Sequence, residues 1–204
     1  MPSTHLTALL ERRPELARAE PSIRQAYETL RKCFRAGGKI LLCGNGGSAA
    51  DADHWAGELL KSFCADRRLS KKARAGLRPA IAKKLEGALP AVPLTAFQAA
   101  ITAFGNDVDP ALAYAQLTFA LGRRGDVLVA ISTSGNAKNV CAAAEVARAK
   151  GMKVVALTAS GGGTLKNLAD VCVRAPATET YRAQEYHLPI YHCLSLMLEE
   201  EFFG

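Results

Sequence analysis

Nowhere in the 204-residue chain is there a run of apolar residues approaching the roughly 20 needed to cross a bilayer. The stretch from Met1 to Pro21 is polar and punctuated by charges, so the apolar core of a signal peptide is missing. Both absences lead to the expectation of a cytoplasmic protein with no membrane partner. The six cysteines, at 33, 43, 64, 141, 172 and 193, form no CxxC pair, which argues against a zinc ribbon or a redox motif. Five of them lie in apolar or helical patterns, where a free thiol packs as a small hydrophobe. Internal repeats and low-complexity segments are also missing. With 49% hydrophobic and 22% charged residues, the composition is that of one sizeable globular domain.

The charge is unbalanced, at a formal +7. Lys61, Arg67, Arg68, Lys71, Lys72, Arg74, Arg78, Lys83 and Lys84 stand in one stretch against Asp66, and that stretch carries the whole excess. It has no interleaved aromatics on which bases could stack, so nucleic acid is not the expected partner. The reading is a solvated basic helical insertion at about 64–89.

Apolar spacing over residues 3–36 (Leu6, Leu9, Leu10; Ile23, Tyr27, Leu30, Phe34) predicts an N-terminal helix pair broken near Pro21 and ended by Gly37-Gly38. Short apolar runs then alternate with helical patterns. Strands are expected at 39–43, 91–94 (weak), 126–131, 153–158 and 171–174, and helices at 48–63, 137–150 and about 180–202. Continuous apolar strands separated by helices predict a doubly wound α/β domain, a parallel sheet covered on both faces. Ligands of such sheets bind beyond the carboxyl ends of the strands.

Those ends carry the unusual residues. The first strand runs into Gly44-Asn45-Gly46-Gly47-Ser48 and then a helix, an arrangement that offers backbone N–H groups and a positive dipole end to an anion. The pattern is neither GxGxxG nor a Walker sequence, so no nucleotide cofactor is expected. The strand at 126–131 ends in Ser132-Thr133-Ser134-Gly135-Asn136. A helix cap needs one hydroxyl, and three in a row favour phosphate binding. His54 and Glu58, four apart, share a helix face, a spacing that suits two metal ligands or a base beside its orienting partner. The last helix carries Gln184-Glu185-Tyr186-His187 and then His192. Gln184 and His192 are about 12 Å apart along an ideal helix. One ion could meet both only if Pro189 bends the helix, or if they serve different copies of a site shared between subunits.

Together these motifs resemble the SIS (sugar isomerase) domain family, and within it the phosphoheptose isomerase branch, over nearly the whole chain. The resemblance implies a flavodoxin-like or Rossmann-like three-layer sandwich at 37–204. It makes 1–36 an N-terminal helical segment packing on the domain and the oligomer, and it implies a homotetramer with active sites between subunits. It implies isomerisation of sedoheptulose 7-phosphate to D-glycero-D-manno-heptose 7-phosphate through an enediol, in heptose biosynthesis. Carried over by position, Asn45, Gly46, Gly47 and Ser48 contact substrate, Ser132, Thr133 and Ser134 hold its phosphate, and Asn106 and Asp107 bind the sugar. His54, Glu58, Gln184 and His192 match zinc-binding positions, one ion per subunit, with Glu58 and Gln184 also contacting substrate; Glu58 and His192 match the catalytic base and acid. Three departures stand out: Ala137 replaces the last serine of the hydroxyl loop, Ser62 replaces a basic residue four after Glu58, and the basic insertion is long. The competing reading is a non-catalytic SIS protein, a sugar-phosphate sensor or a binder of a replication initiator. Such proteins can dispense with the acid–base pair, and this chain keeps both Glu58 and His192.

Overall fold

A computed structural model describes residues 4–204. Five parallel strands form one sheet: β1 (Ile40–Cys43), β2 (Ala91–Pro93), β3 (Val127–Ile131), β4 (Lys153–Thr158) and β5 (Val171–Arg174). Their spatial order is β2-β1-β3-β4-β5, that of flavodoxin-like doubly wound sheets, with the direction of winding reversing between β1 and β3. All five expected strands are therefore present, including the weak one at Ala91–Pro93.

Because strand side chains alternate, each strand feeds two cores. Ile40, Leu42, Val127, Val129, Ile131, Val155 and Leu157 point into one layer, and Leu41, Cys43, Leu128, Ala130, Val154 and Ala156 into the other. The first layer is built by α1 (Thr4–Arg12), α2 (Glu20–Arg35), α3 (Gly47–Leu60) and the C-terminal helix. Each fully buried Leu or Ile there contributes about 1.5–3 kcal/mol of transfer free energy. The second layer holds α7 (Ala113–Leu121) and α8 (Lys138–Ala149).

The N-terminal break falls earlier than expected. A 3-10 turn at Pro14–Ala19 separates α1 from α2, and Pro21 lies in the first turn of α2, where a missing N–H costs nothing. The insertion is less helical than its composition suggests, holding only the single turns α4 (Lys71–Arg74) and α5 (Pro79–Ala82). Gly76 at φ +79° and Pro79 interrupt any longer helix. An antiparallel bridge between Arg68 and Glu86 closes its base.

Helix α3 stops at Leu60, short of the expected 63. Between β2 and β3 the helices α6 (Gln98–Asp107) and α7 have no counterpart in the sequence reading, and the short α9 (Leu165–Leu168) precedes β5. The chain ends in α10 (Thr180–Phe203), which runs unbroken through Pro189. Cys33, Cys43, Cys141 and Cys193 are buried, Cys172 is partly so, and Cys64 is exposed; all six thiols are free. Among the described residues no helix is long and apolar enough to cross a membrane.

Candidate active site

The loops after β1 and β3 meet at the winding reversal. Gly46, at φ +56° and ψ −123°, takes a backbone conformation open to glycine and starts α3. Gly47 lets the Gln184 amide lie directly against the loop backbone; a Cβ there would push that side chain aside. The Tyr114 hydroxyl donates to the Gly44 carbonyl at 2.7 Å. Asn45 and Asn139 exchange two amide hydrogen bonds of 2.8 and 2.9 Å, tying the first loop to the start of α8. In the second loop the Asn136 N–H donates to Ser134 Oγ, while Asn136 Oδ1 accepts from both the N–H and the hydroxyl of Thr164.

Between the loops lies a cavity of about 190 Å³, lined by Asn45, Ser48, the Ser132–Ser134 hydroxyl run, Ala137, Thr180 and Gln184. Hydroxyl and amide side chains dominate its lining, and it is bordered by the amino ends of α3, α8 and α10, an environment suited to a small oxyanion group. The structure thus brings Asn45, Ser48, Ser132, Thr133, Ser134 and Gln184 together. Ala137, which caps α8 without a side-chain bond, puts a methyl group where a hydroxyl would add a donor. Asn139, Thr180 and Thr164 were not singled out from the sequence. Their signal, polar residues at helix starts, is too common to isolate without the fold.

Asn106 and Asp107 lie elsewhere. They occupy the exposed end of α6, bonded to each other at 2.9 Å, and do not line this cavity.

The second cluster lies further down α3. One ligand atom from each of His54, Glu58 and His192 lies within 4.8 Å of the others. His54 is 3.4 Å and His192 2.9 Å from Glu58 Oε1. The shorter approach lacks hydrogen-bond geometry, so Glu58 Oε1 and His192 Nε2 are buried atoms with no hydrogen-bond partner. Two imidazole nitrogens and a carboxylate oxygen aimed at one point form a donor set suited to a divalent ion. Burial pushes the Glu58 carboxyl above its ordinary range, against lowering by the Ser195 hydrogen bond and by His54 and Arg67. Burial also lowers His192, with His54 and Arg12 nearby adding to the effect.

α3 and α10 pack in parallel with a constant offset of 137 residues, His54 facing Tyr191 and Glu58 facing Ser195. Gly47 faces Gln184 at the same offset. Gln184 is therefore level with the loops, about 12 Å up α10 from His192, and is the one expected metal-binding residue this chain does not place at the cluster. His187, on the same helix, is fully buried with Nε2 3.2 Å from the Thr158 carbonyl; burial lowers it to about 4 and keeps it neutral.

The comparisons with known proteins place the chain in a family. The chain matches the SIS domain family over residues 96–198 and again over 5–86. It is 39% identical to the phosphoheptose isomerase of Rhodospirillum rubrum over 180 residues, covering 88% of this chain and 86% of that protein. The chain belongs to the SIS domain family, in its phosphoheptose isomerase branch. Within that family it is also 39% identical to the phosphoheptose isomerase of Shewanella loihica, with 97% of this chain and 92% of that protein covered. The solved structure of phosphoheptose isomerase GmhA from Neisseria gonorrhoeae superposes with a TM-score of 0.75 at 35% identity, 95% of each chain being covered. As a member of this branch the chain is an aldose–ketose isomerase.

Proposed function

We propose that this isomerase interconverts sedoheptulose 7-phosphate and D-glycero-D-manno-heptose 7-phosphate, with Glu58 as base and His192 as its acid–base partner. The observation that carries the reading is the buried Glu58 carboxylate, one oxygen held by Ser195 and the other left without a hydrogen-bond partner 2.9 Å from His192 Nε2. A carboxylate positioned in this way, with its basicity raised by burial, is equipped to take a proton from carbon.

The phosphate binds among Ser132, Thr133, Ser134 and the backbone from Asn45 to Ser48, which anchors the open-chain sugar. Glu58 removes the proton from the hydroxyl-bearing carbon beside the ketone, and His192 supplies a proton to the ketone oxygen, giving a cis-enediol. His192 then takes the proton from the neighbouring hydroxyl, and Glu58 returns the carbon proton one position along, giving the aldose. Each positioned group contributes on the order of 10²–10⁴-fold.

His54, Glu58 and His192 would hold a zinc ion, which supplies Lewis-acid polarisation of the sugar's carbonyl oxygen when bound; Glu58 Oε1 and His192 Nε2 would then be its ligands, and the proton transfers above are those of the ion-free pair. The two unpartnered buried atoms, Glu58 Oε1 and His192 Nε2, support that reading. Gln184, two turns away, lines the phosphate cavity and fits as a substrate contact there.

A homotetramer is supported by α6, none of whose residues is buried, and by the exposed apolar side chains of Val108, Leu112 and Phe119 beside it. Asn106 and Asp107 lie on that same surface and would complete a site across the interface. We read the chain as one SIS domain at 37–204 carrying the 1–36 helices, working in the cytoplasm.

A coupled assay with sedoheptulose 7-phosphate tests the proposal. Turnover by the wild type and none by Glu58→Gln is expected. No turnover by the wild type, with sugar phosphate still raising its melting temperature, would instead support the sensor reading.

A further inference from the structure

Helix α10 contributes more to the cluster than His192. Tyr191 and Ser195, four residues apart and therefore on one face, are both fully buried, and both direct hydroxyls at α3. Ser195 Oγ donates to Glu58 Oε2 at 2.7 Å. Tyr191 Oη is 3.0 Å from His54 Nδ1 and 3.4 Å from Asp51 Oδ1. One arrangement of protons satisfies both contacts. The Tyr191 hydroxyl donates to the Asp51 carboxylate and accepts from the His54 Nδ1–H, so His54 Nε2 keeps its lone pair. The phenol cannot swing away, because it stacks on Trp55 with ring centroids 5.6 Å apart and an interplanar angle of 19°.

We propose that Tyr191 and Ser195 are positioning residues that fix the two α3 members of a metal centre, Tyr191 by setting the His54 tautomer and Ser195 by turning Glu58 so that Oε1 faces the ion. The inference rests on the reading of His54, Glu58 and His192 as metal ligands. Each hydroxyl removes one rotational choice from its partner. Ser195 occupies Oε2 and leaves Oε1 alone to face the two histidines, while Tyr191 occupies Nδ1 and leaves Nε2 alone to face Glu58. A ligating histidine whose other ring nitrogen is held through a hydroxyl to a carboxylate is the arrangement that raises ligand basicity and orients the ring. Here Asp51, one turn before His54 on α3, supplies that carboxylate.

Tyr191→Phe and Ser195→Ala each delete a hydroxyl and little else. The test measures zinc affinity by competition with a chromophoric chelator, using the full chain stripped of metal, together with the visible spectrum after cobalt(II) loading. Each variant is expected to bind zinc about 10–100-fold more weakly than the wild type. Its cobalt spectrum is expected to change, while the metal-free proteins melt within about 4 °C of one another. Unchanged zinc affinity and an unchanged cobalt spectrum would overturn the assignment, as would a lower metal-free melting temperature with no loss of affinity. A wild type that binds no zinc would instead overturn the metal reading, and the positioning roles with it.

Discussion

Arg67 and Glu199 form an ion pair of 2.6 Å, both side chains almost completely buried, and between them they join the base of the insertion, the end of α3 and α10. The guanidinium also donates to the carbonyls of Glu58 and Leu59, which the end of α3 leaves without helical partners. Glu199 in turn accepts the N–H groups of Phe63, Cys64 and Ala65. Burial alone would raise the Glu199 carboxyl, but those three donors and Arg67 outweigh it and hold it low.

Removing one member of this pair strands the other charge. Arg67→Ala is expected to lose about 3–5 kcal/mol of stability in urea unfolding. Exchanging both partners for apolar residues of similar volume should recover much of that loss. A single variant as stable as the wild type would show that the network is not needed to seat the insertion.

Glu58→Gln preserves shape and removes basicity. Turnover of sedoheptulose 7-phosphate should fall at least ~10²-fold with the melting temperature little changed. Substantial residual activity would assign the carbon proton to another group.

Buried His187 gives stability a specific pH dependence. Its ring is lowered from 6.5 to about 4 in the fold, so the unfolded chain binds the proton more readily. Stability is fully present above pH 6.5 and declines as pH falls toward about 4, by roughly 3 kcal/mol from this group. His187→Gln should flatten that slope in urea midpoints measured at pH 7.5 and 4.5. Equal slopes in both proteins would mean that the imidazole reaches water.

Ala137→Ser restores a hydroxyl at a position that both caps α8 and lines the phosphate-sized cavity. A gain of about 1 kcal/mol in stability is expected from the cap. A fall in KM of about tenfold is expected from one more bond to a charged group. A gain in stability with KM unchanged would place the phosphate away from residue 137.

Val108, 65% exposed beside α6, is an apolar side chain with no cover within the chain. Val108→Asp should shift the protein to smaller species in light scattering and lower activity, since Asn106 and Asp107 share that surface. An unchanged mass would locate the interface elsewhere.

Much of the architecture is legible in the sequence because strands buried on both faces are continuous apolar runs, and β1, β3 and most of β4 are runs of that kind. The His54–Glu58 pairing is equally local, since helical geometry alone puts residues four apart on one face. Helices α6 and α7 escape the same reading. α6 has no fully buried residue, only Ile101 packing partly on the core, and α7 is apolar nearly all round, so neither shows a clean amphipathic period.

What the sequence determined by itself, therefore, was everything carried by neighbours in the chain: the strands, the glycine and hydroxyl loops at their ends, and the face shared by His54 and Glu58. Tertiary structure decided which distant segments meet. The parallel packing of α10 on α3 puts His192 beside Glu58, Ser195 on its other oxygen and Tyr191 on His54, and it leaves Gln184 up at the loops. No local pattern encodes that register. It follows from Trp55, Leu59, Ile190, Tyr191 and Leu194 closing one shared core, a condition set by shape and volume across the fold rather than by spacing along the chain.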